Sequence, residues 1–314
     1  MHDDFLWVEK YRPQTVDDCI LPDDVKATFK SFIEKGEIPN LLLSGTAGVG
    51  KTTIAKALCN ELGADSYVIN GSDEGRFLDT VRNQAKTFAA TVSLTSQSRH
   101  KILIIDEADN TTPDVQLLLR ASIEEFQKNC RFIFTCNFKN KIIEPLHSRT
   151  TVIDFNVRGK TKQSLAAQFF ERCRDILTRE EVRYNDKVVV QVIQKYFPDF
   201  RRTLNELQRY SSTGSIDTGI LATLGDAKID SLTGYLKEKK FNEVKKWVTQ
   251  NIDSDPQSIM RKLYDSLSSV MEGPNVAAAV LIIAEYQYKS AFVVDQEINL
   301  LACLTQLMVE CEFK

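Results

Sequence analysis

Gly45–Thr52 reads GTAGVGKT, a match to G-x-x-x-x-G-K-[ST] in the setting where that pattern carries physical meaning. The run Leu41-Leu42-Leu43 before it has the length and apolarity of a buried strand, and Thr53-Ile54-Ala55-Lys56-Ala57-Leu58 after it opens a helix. Gly45, Gly48 and Gly50 let the backbone wrap an anion, with Thr46, Ala47 and Val49 completing the loop and Thr53 following it. The N–H groups of such a turn point inward, and the helix N-terminus adds positive partial charge. Lys51 is placed to reach the β- and γ-phosphates of a nucleoside triphosphate, and the Thr52 hydroxyl to ligate Mg²⁺.

Composition narrows the classes around that loop. With 314 residues there is room for two or three domains. A formal charge of -3 means that any nucleic-acid contact must come from a local basic patch. The longest nearly apolar stretch, Val276–Ala284, is too short to span a bilayer, so no membrane partner is expected. The N-terminus, MHDDFLWVEK, is acidic where a secretory signal would be basic. The seven cysteines are scattered without a C-x-x-C pair, which points to a reducing, cytoplasmic setting with neither zinc site nor disulfide framework.

Along the first half, short apolar runs alternate with helical segments. Strands are expected at Leu41–Ser44, Ser66–Asn70, Ile102–Ile105, Phe132–Cys136 and Val152–Phe155. Helices are expected at Thr52–Leu62, Phe77–Phe88, Asp114–Phe126 and Lys141–Leu146. Such alternation implies βαβ units and an α/β fold with a parallel sheet flanked by helices. After Asn156 the strand signal vanishes. Thr161–Leu177, Lys187–Tyr196 and Phe200–Tyr210 read as a small helical domain, interrupted by Pro198, and everything from Ile229 onward reads helical. The expected boundaries are 1–156, 157–225 and 226–314.

Carboxylates end the strand of ILIIDEAD, Ile102–Asp109. Asp106 is placed to hold Mg²⁺ through water, and Glu107 to orient and deprotonate an attacking water. Asn137, ending RFIFTCN, is a candidate to position that water against the γ-phosphate. Arg149, in PLHSRT, has the charge that phosphoryl transfer needs, and Arg201 with Arg202 opens a helix whose dipole disfavours cations there. Arg76, Arg82 and Lys86 are the candidate DNA-binding patch, with a solvated face as the alternative.

With these residues assembled, the chain resembles the AAA+ ATPase subunits of sliding-clamp loaders over nearly its full length. The family includes the replication factor C small subunits and the large subunits of T4-type phage loaders. The resemblance is carried by WVEKYRP (Trp7–Pro13), GTAGVGKT, Ile69–Ala89, IDEAD (Ile105–Asp109), TCN (Thr135–Asn137), SRT (Ser148–Thr150) and FPDFRRTLNELQ (Phe197–Gln208). It implies an AAA+ ATPase domain, a helical lid and an all-helical C-terminal collar. It implies ATP and Mg²⁺ as ligands, with Val8, Glu9, Lys10, Tyr11, Arg12, Pro13 and Ile20 bordering adenine and ribose. Asn137 and Arg201 would be the first and second sensors, and Arg149 a finger donated to the next subunit's ATP. Arg76, Arg82 and Lys86 would face duplex DNA, and the helix end near Phe88–Leu94 would approach the clamp. The implied partners are a sliding clamp, primer–template DNA, copies of this chain and one non-identical subunit, four ATPases completing a pentamer. The expected location is the cytoplasm, that of a bacterial host if the chain is phage-encoded.

Two departures stand out. Thr150 follows Arg149 where most relatives have Cys, and Gln116–Ile123 carries one arginine, Arg120, where many have two. Rival readings are a DEAD-type helicase, another AAA+ DNA remodeller such as a Holliday-junction motor, and a scaffold that binds ATP without hydrolysing it. A helicase of that type needs a second RecA-like domain, for which the chain beyond Asn156 has no strand–helix alternation.

Overall fold

A computed structural model of the chain describes residues 5–72, 86–91, 100–156, 159–212, 214–217, 229–251, 256–290 and 292–314. Two compact units divide it, Met1–Ile220 and Leu221–Lys314.

The first unit is organised by five parallel strands: β1 (Leu41–Ser44), β2 (Ser66–Asn70), β3 (Lys101–Asp106), β4 (Cys130–Cys136) and β5 (Thr151–Asp154), in the order β2-β3-β4-β1-β5. The inner strands β3, β4 and β1 are covered on both faces, which is why they are continuously apolar rather than alternating, while the edge strands β2 and β5 stay largely exposed. Leu41, Leu43, Ile102, Ile104, Ile133 and Ile153 pack to one side, and Leu42, Leu103, Ile105, Phe132 and Phe134 to the other. Each fully buried side chain of this kind contributes roughly 1.5–3 kcal/mol. The register brings three strand ends level: Ser44 pairs with Cys136, and Ile105 with Phe134. The loop after β1, the carboxylates after β3 and the polar end of β4 therefore meet at one edge.

The described helices of this unit are α1 (Trp7–Lys10), α2 (Asp23–Lys35), α3 (Lys51–Glu61), α4 (Lys86–Ala90), α5 (Pro113–Glu125), α6 (Glu144–His147), α7 (Gly159–Arg179), α8 (Asp186–Tyr196) and α9 (Phe200–Ser211). Helix α2 was not expected. Its signal lies in Val25, Phe29, Phe32 and Ile33 at helical spacing, closed by Gly36 in the left-handed region at φ 64°. Most of the helix expected at Phe77–Phe88 lies outside the described residues. The helix expected at Lys141–Leu146 is instead a 3-10 turn at Lys139–Lys141 followed by α6. Ile142 and Ile143 between them are extended, and Pro145 sits in the first turn of α6, where no N–H is needed. Strand structure also persists after Asn156: β6 (Arg183–Tyr184) pairs in parallel with β7 (Ser215–Ile216). Two residues are too short to leave a periodic signature.

The second unit contains α10 (Ile229–Lys237), α11 (Phe241–Gln250), α12 (Pro256–Val270), α13 (Gly273–Lys289) and α14 (Gln296–Glu310) around one core. The stripe Leu300, Leu304, Leu307 and Met308 on α14 faces that core, together with Trp247, Met260 and Ile283. Among the described residues, no helix is long and apolar enough to cross a membrane.

All seven cysteines are free and buried. Burial pushes the thiols of Cys19, Cys130, Cys173 and Cys303 up to about 12, and those of Cys59 and Cys136 to about 11, from an ordinary 9.0. A raised folded-state value favours the fold fully below pH 9, and that contribution drains away as pH climbs from 9 towards 12. Titration with a thiol reagent at pH 8 is expected to find almost no reactive thiol in the native chain and seven after denaturation.

Candidate nucleotide site

The turn after β1 enters α3 through Gly48 at φ 75° and Gly50 at φ 90°, backbone that L side chains rarely adopt. Space matters as well at Gly48: a Cβ there would lie 1.9 Å from Asp199 Oδ1. Gly50 caps α3, so Lys51 and Thr52 stand in its first turn, where backbone N–H groups have no partner within the helix.

Lys51 is only 8% exposed. Its Nζ donates to the carbonyls of Gly45 and Thr46, each at 2.8 Å, and to Asn137 Oδ1 at 2.9 Å. Burial lowers its pKa, so the cation is held at a cost that an anion would relieve. Beside it, Thr52 Oγ1 donates to Asp106 Oδ1 at 2.7 Å. Thr135 Oγ1 donates to the same oxygen at 2.6 Å and accepts the Glu107 N–H at 3.0 Å. Glu107 adopts φ 54°, and its Oε2 accepts from Asn110 Nδ2 at 3.1 Å and from the Ser72 hydroxyl. Asp109, 5% exposed, accepts the N–H groups of Asn137 and Phe138 on Oδ2 at 3.1 and 3.0 Å. Its Oδ1 is buried with no hydrogen-bond partner among the described residues.

These groups floor an open cleft. Of the residues expected there, Val8, Tyr11, Arg12, Pro13, Ile20, Ala47, Gly48, Val49, Gly50, Lys51, Thr52, Thr53, Asp106, Glu107, Asn137 and Arg201 line it. Gly45 and Thr46 serve through the carbonyls that accept from Lys51. Glu9 pairs with Arg12, and Lys10 with Glu180 at 2.8 Å, so these two act on neighbours of the cleft rather than on its wall. Sequence reading missed Phe169, Arg172 and Ile176, which line the cleft from one face of α7, and Phe200 and Leu204 from α9. Their helical spacing signals only burial. It also missed Thr135, whose sole signal was its place in TCN.

The remaining expected residues lie elsewhere or outside description. Arg149 follows α6 and donates through Nε and Nη2 to Glu124 Oε1 at 2.8 and 2.6 Å, and through Nη1 to the Pro145 carbonyl at 3.0 Å. That arginine holds the Glu124 carboxyl below its usual range. Lys86 pairs with Glu125 at 3.3 Å. Arg76 and Arg82 lie outside the described residues.

The oxygen donors fit a magnesium site. Thr52 Oγ1 and Asp106 Oδ1 are hard ligands already in contact, and Mg²⁺ ordinarily takes one or two protein oxygens beside substrate phosphates. No cluster of three or more His, Cys, Asp or Glu side chains able to hold a metal occurs among the described residues.

A parallel sheet with a phosphate-wrapping turn, strand-end carboxylates and a helical segment closing over the cleft defines an AAA ATPase. The family model for ATPases associated with various cellular activities matches residues 41–157, and the model for the AAA+ ATPase lid of sliding-clamp-loader large subunits matches 161–222. The chain is 35% identical to the sliding-clamp-loader large subunit of Enterobacteria phage T4, over 98% of this chain and 96% of that protein. It is 31% identical to the replication factor C small subunit of Saccharolobus solfataricus, over 98% and 95% respectively. A Thermotoga maritima RuvB Holliday-junction branch-migration motor shares the fold, with a TM-score of 0.54 at 19% identity, covering 82% of this chain and 88% of that one. This chain therefore belongs to the clamp-loader ATPase subunits of replication factor C type, nucleotide-binding proteins that hydrolyse ATP.

Replacing Lys51 by Met removes a buried cation and also strips a donor from Gly45, Thr46 and Asn137, effects of opposite sign. The melting temperature is expected to move by no more than about 4 °C. Nucleotide affinity, followed with a fluorescent ATP analogue, should fall by roughly 100-fold or more.

Proposed function

We propose that this chain is the ATPase subunit of a loader that places a ring-shaped sliding clamp on primed DNA. ATP binding at subunit boundaries orders an assembly that opens and holds the clamp. Primer–template DNA then triggers hydrolysis, which breaks the boundary contacts and releases the clamp on DNA. The partners are the clamp, a non-identical subunit, copies of this chain, four in a pentamer, and the DNA itself. Residues 1–156 act as the ATPase domain, 157–225 as the lid and 226–314 as the oligomerising collar.

The observation that carries this reading is the meeting, at one strand edge, of groups from four separate segments. Lys51 contacts Asn137 at 2.9 Å, Thr52 contacts Asp106 at 2.7 Å, and Glu107 and Arg201 share their cleft. In the proposed mechanism Lys51 and the turn from Gly45 to Thr52 bind the phosphates, while the wall of Val8, Tyr11, Arg12, Pro13 and Ile20 seats the base and ribose. Thr52 and Asp106 would hold Mg²⁺, which supplies positive charge against the β- and γ-phosphate oxygens. Glu107 accepts a proton from the attacking water, which Asn137 positions against the γ-phosphate, and Arg201 orients that phosphate. Arg149 completes the neighbouring protomer's site. Its partner Glu124 is about half exposed, and such exposed pairs are weak, so the guanidinium is exchangeable to a triphosphate. Lys86, with Arg76 and Arg82, tracks the DNA backbone.

The test is steady-state ATPase with and without clamp and primed DNA. Parent complexes should be slow alone and strongly stimulated by both together. Arg149→Ala should leave the isolated chain's ATP affinity unchanged and lower stimulated turnover by about 10³-fold or more. Full stimulated turnover in Arg149→Ala or Lys51→Ala complexes would overturn the assignment. A duplex-unwinding assay separates the helicase alternative.

A further inference from the structure

The side chain of Thr135 is 1% exposed and stands second from the end of β4, one position before Cys136 and two before Asn137. Its hydroxyl has one proton to give. Since the Glu107 N–H can only donate, at 3.0 Å, the Thr135 proton goes to Asp106 Oδ1 at 2.6 Å. A single oxygen therefore restrains two consecutive residues, one through its carboxylate and the other through its backbone.

The backbone restraint falls at an unusual place. Glu107 is not glycine, yet it holds φ 54°, ψ 45°, a conformation disfavoured by contact between its Cβ and its own backbone. This turn lets the chain leave β3 at Asp106 and present the Glu107 side chain to the cleft instead of continuing along the strand. The register supports the contact: Ile105 pairs with Phe134, which sets Asp106 level with Thr135. The carboxylate restraint works in the same direction. Asp106 Oδ1 receives Thr135 from one side and Thr52 from the other, at 2.6 and 2.7 Å, so its orientation toward the magnesium position is set from both sides.

We infer that Thr135 is a positioning residue for ATP hydrolysis, its hydroxyl locking Asp106 and Glu107 into one geometry. The inference rests on the roles proposed above for those two carboxylates. A β-branched residue suits a strand whether or not it carries a hydroxyl, so Val is the nearly isosteric substitution that removes both hydrogen bonds and keeps the shape. The methyl-bearing wall of the cleft is unchanged by it. Nucleotide binding without metal, which depends on the turn and Lys51, should be unchanged too.

Thr135→Val is expected to lower kcat by about 10- to 100-fold, the scale of losing hydrogen bonds that involve a charged group. The Mg²⁺ concentration for half-maximal activity should rise at least threefold or so, because Asp106 loses one of its two orienting donors. Affinity for ATP in EDTA should stay within about twofold of the parent, and Thr135→Ser should recover most of the lost kcat. Glu107→Gln is measured alongside. If it hydrolyses at the parent rate, the site assignment itself fails, and this inference with it. If Glu107→Gln is inactive while Thr135→Val keeps parent kcat and Mg²⁺ dependence, only the role of Thr135 fails. Equal impairment of Thr135→Ser and Thr135→Val would also overturn it, since packing of the methyl and not the hydroxyl would then be at work. Should Thr135→Val fail to fold, Thr135→Ala removes the same hydroxyl with less bulk and is read by the same criteria.

Discussion

Lys51 is buried at the base of the cleft, and the surrounding architecture satisfies its charge. A buried cation is tolerated only with a complete set of acceptors. Here two come from carbonyls of its own turn and one from Asn137, a residue 86 positions away that only the sheet can bring near. The parallel pairing of β1 with β4 is thus a condition for the site. So is the left-handed backbone of Gly48 and Gly50, without which the carbonyls of Gly45 and Thr46 could not fold back over the amine.

Around this charge the segment after the sheet is tied to the loop. The Phe200 N–H donates to the Gly48 carbonyl at 3.1 Å, and Asp199, beside Gly48, caps α9 by accepting from Arg202 N at 2.9 Å. This carboxylate compensates for arginines in the first turn of a helix, where the dipole opposes them. Arg201 thereby reaches the cleft, while Arg202 lies over the Tyr196 ring at 4.7 Å. The N-terminal box is clamped from the same side: Arg172 donates to the Tyr11 carbonyl at 3.1 Å, Tyr11 donates to Glu180, and the Trp7 N–H donates to Gln208 at 3.0 Å. A closing of α7 and α9 on a nucleotide would therefore be felt at both the loop and the base-binding wall.

Strands β1, β3 and β4 were legible because each is a compact apolar run buried on both faces, and the long helices because their periodicity repeats over several turns. Elements that failed to show were of other kinds. Helix α2 has an apolar face mixed with lysines and acids, and the β6–β7 pair consists of two residues on each side. Ile142 and Ile143 continue a helical pattern, but the proline that follows sets a separate start.

What the sequence determined by itself is local: the glycine-rich turn, the carboxylates ending an apolar strand and the AAA+ boxes depend on residue type and spacing within about ten positions. Which atoms meet was decided by tertiary structure. Thr135 bridging Asp106 and Glu107, Asp109 holding the N–H of Asn137, and α7 supplying a wall all depend on strand register and helix packing. Hydrogen bonds of about 3 Å between residues tens of positions apart leave no periodicity, because their geometry exists only after the sheet has aligned its strand ends.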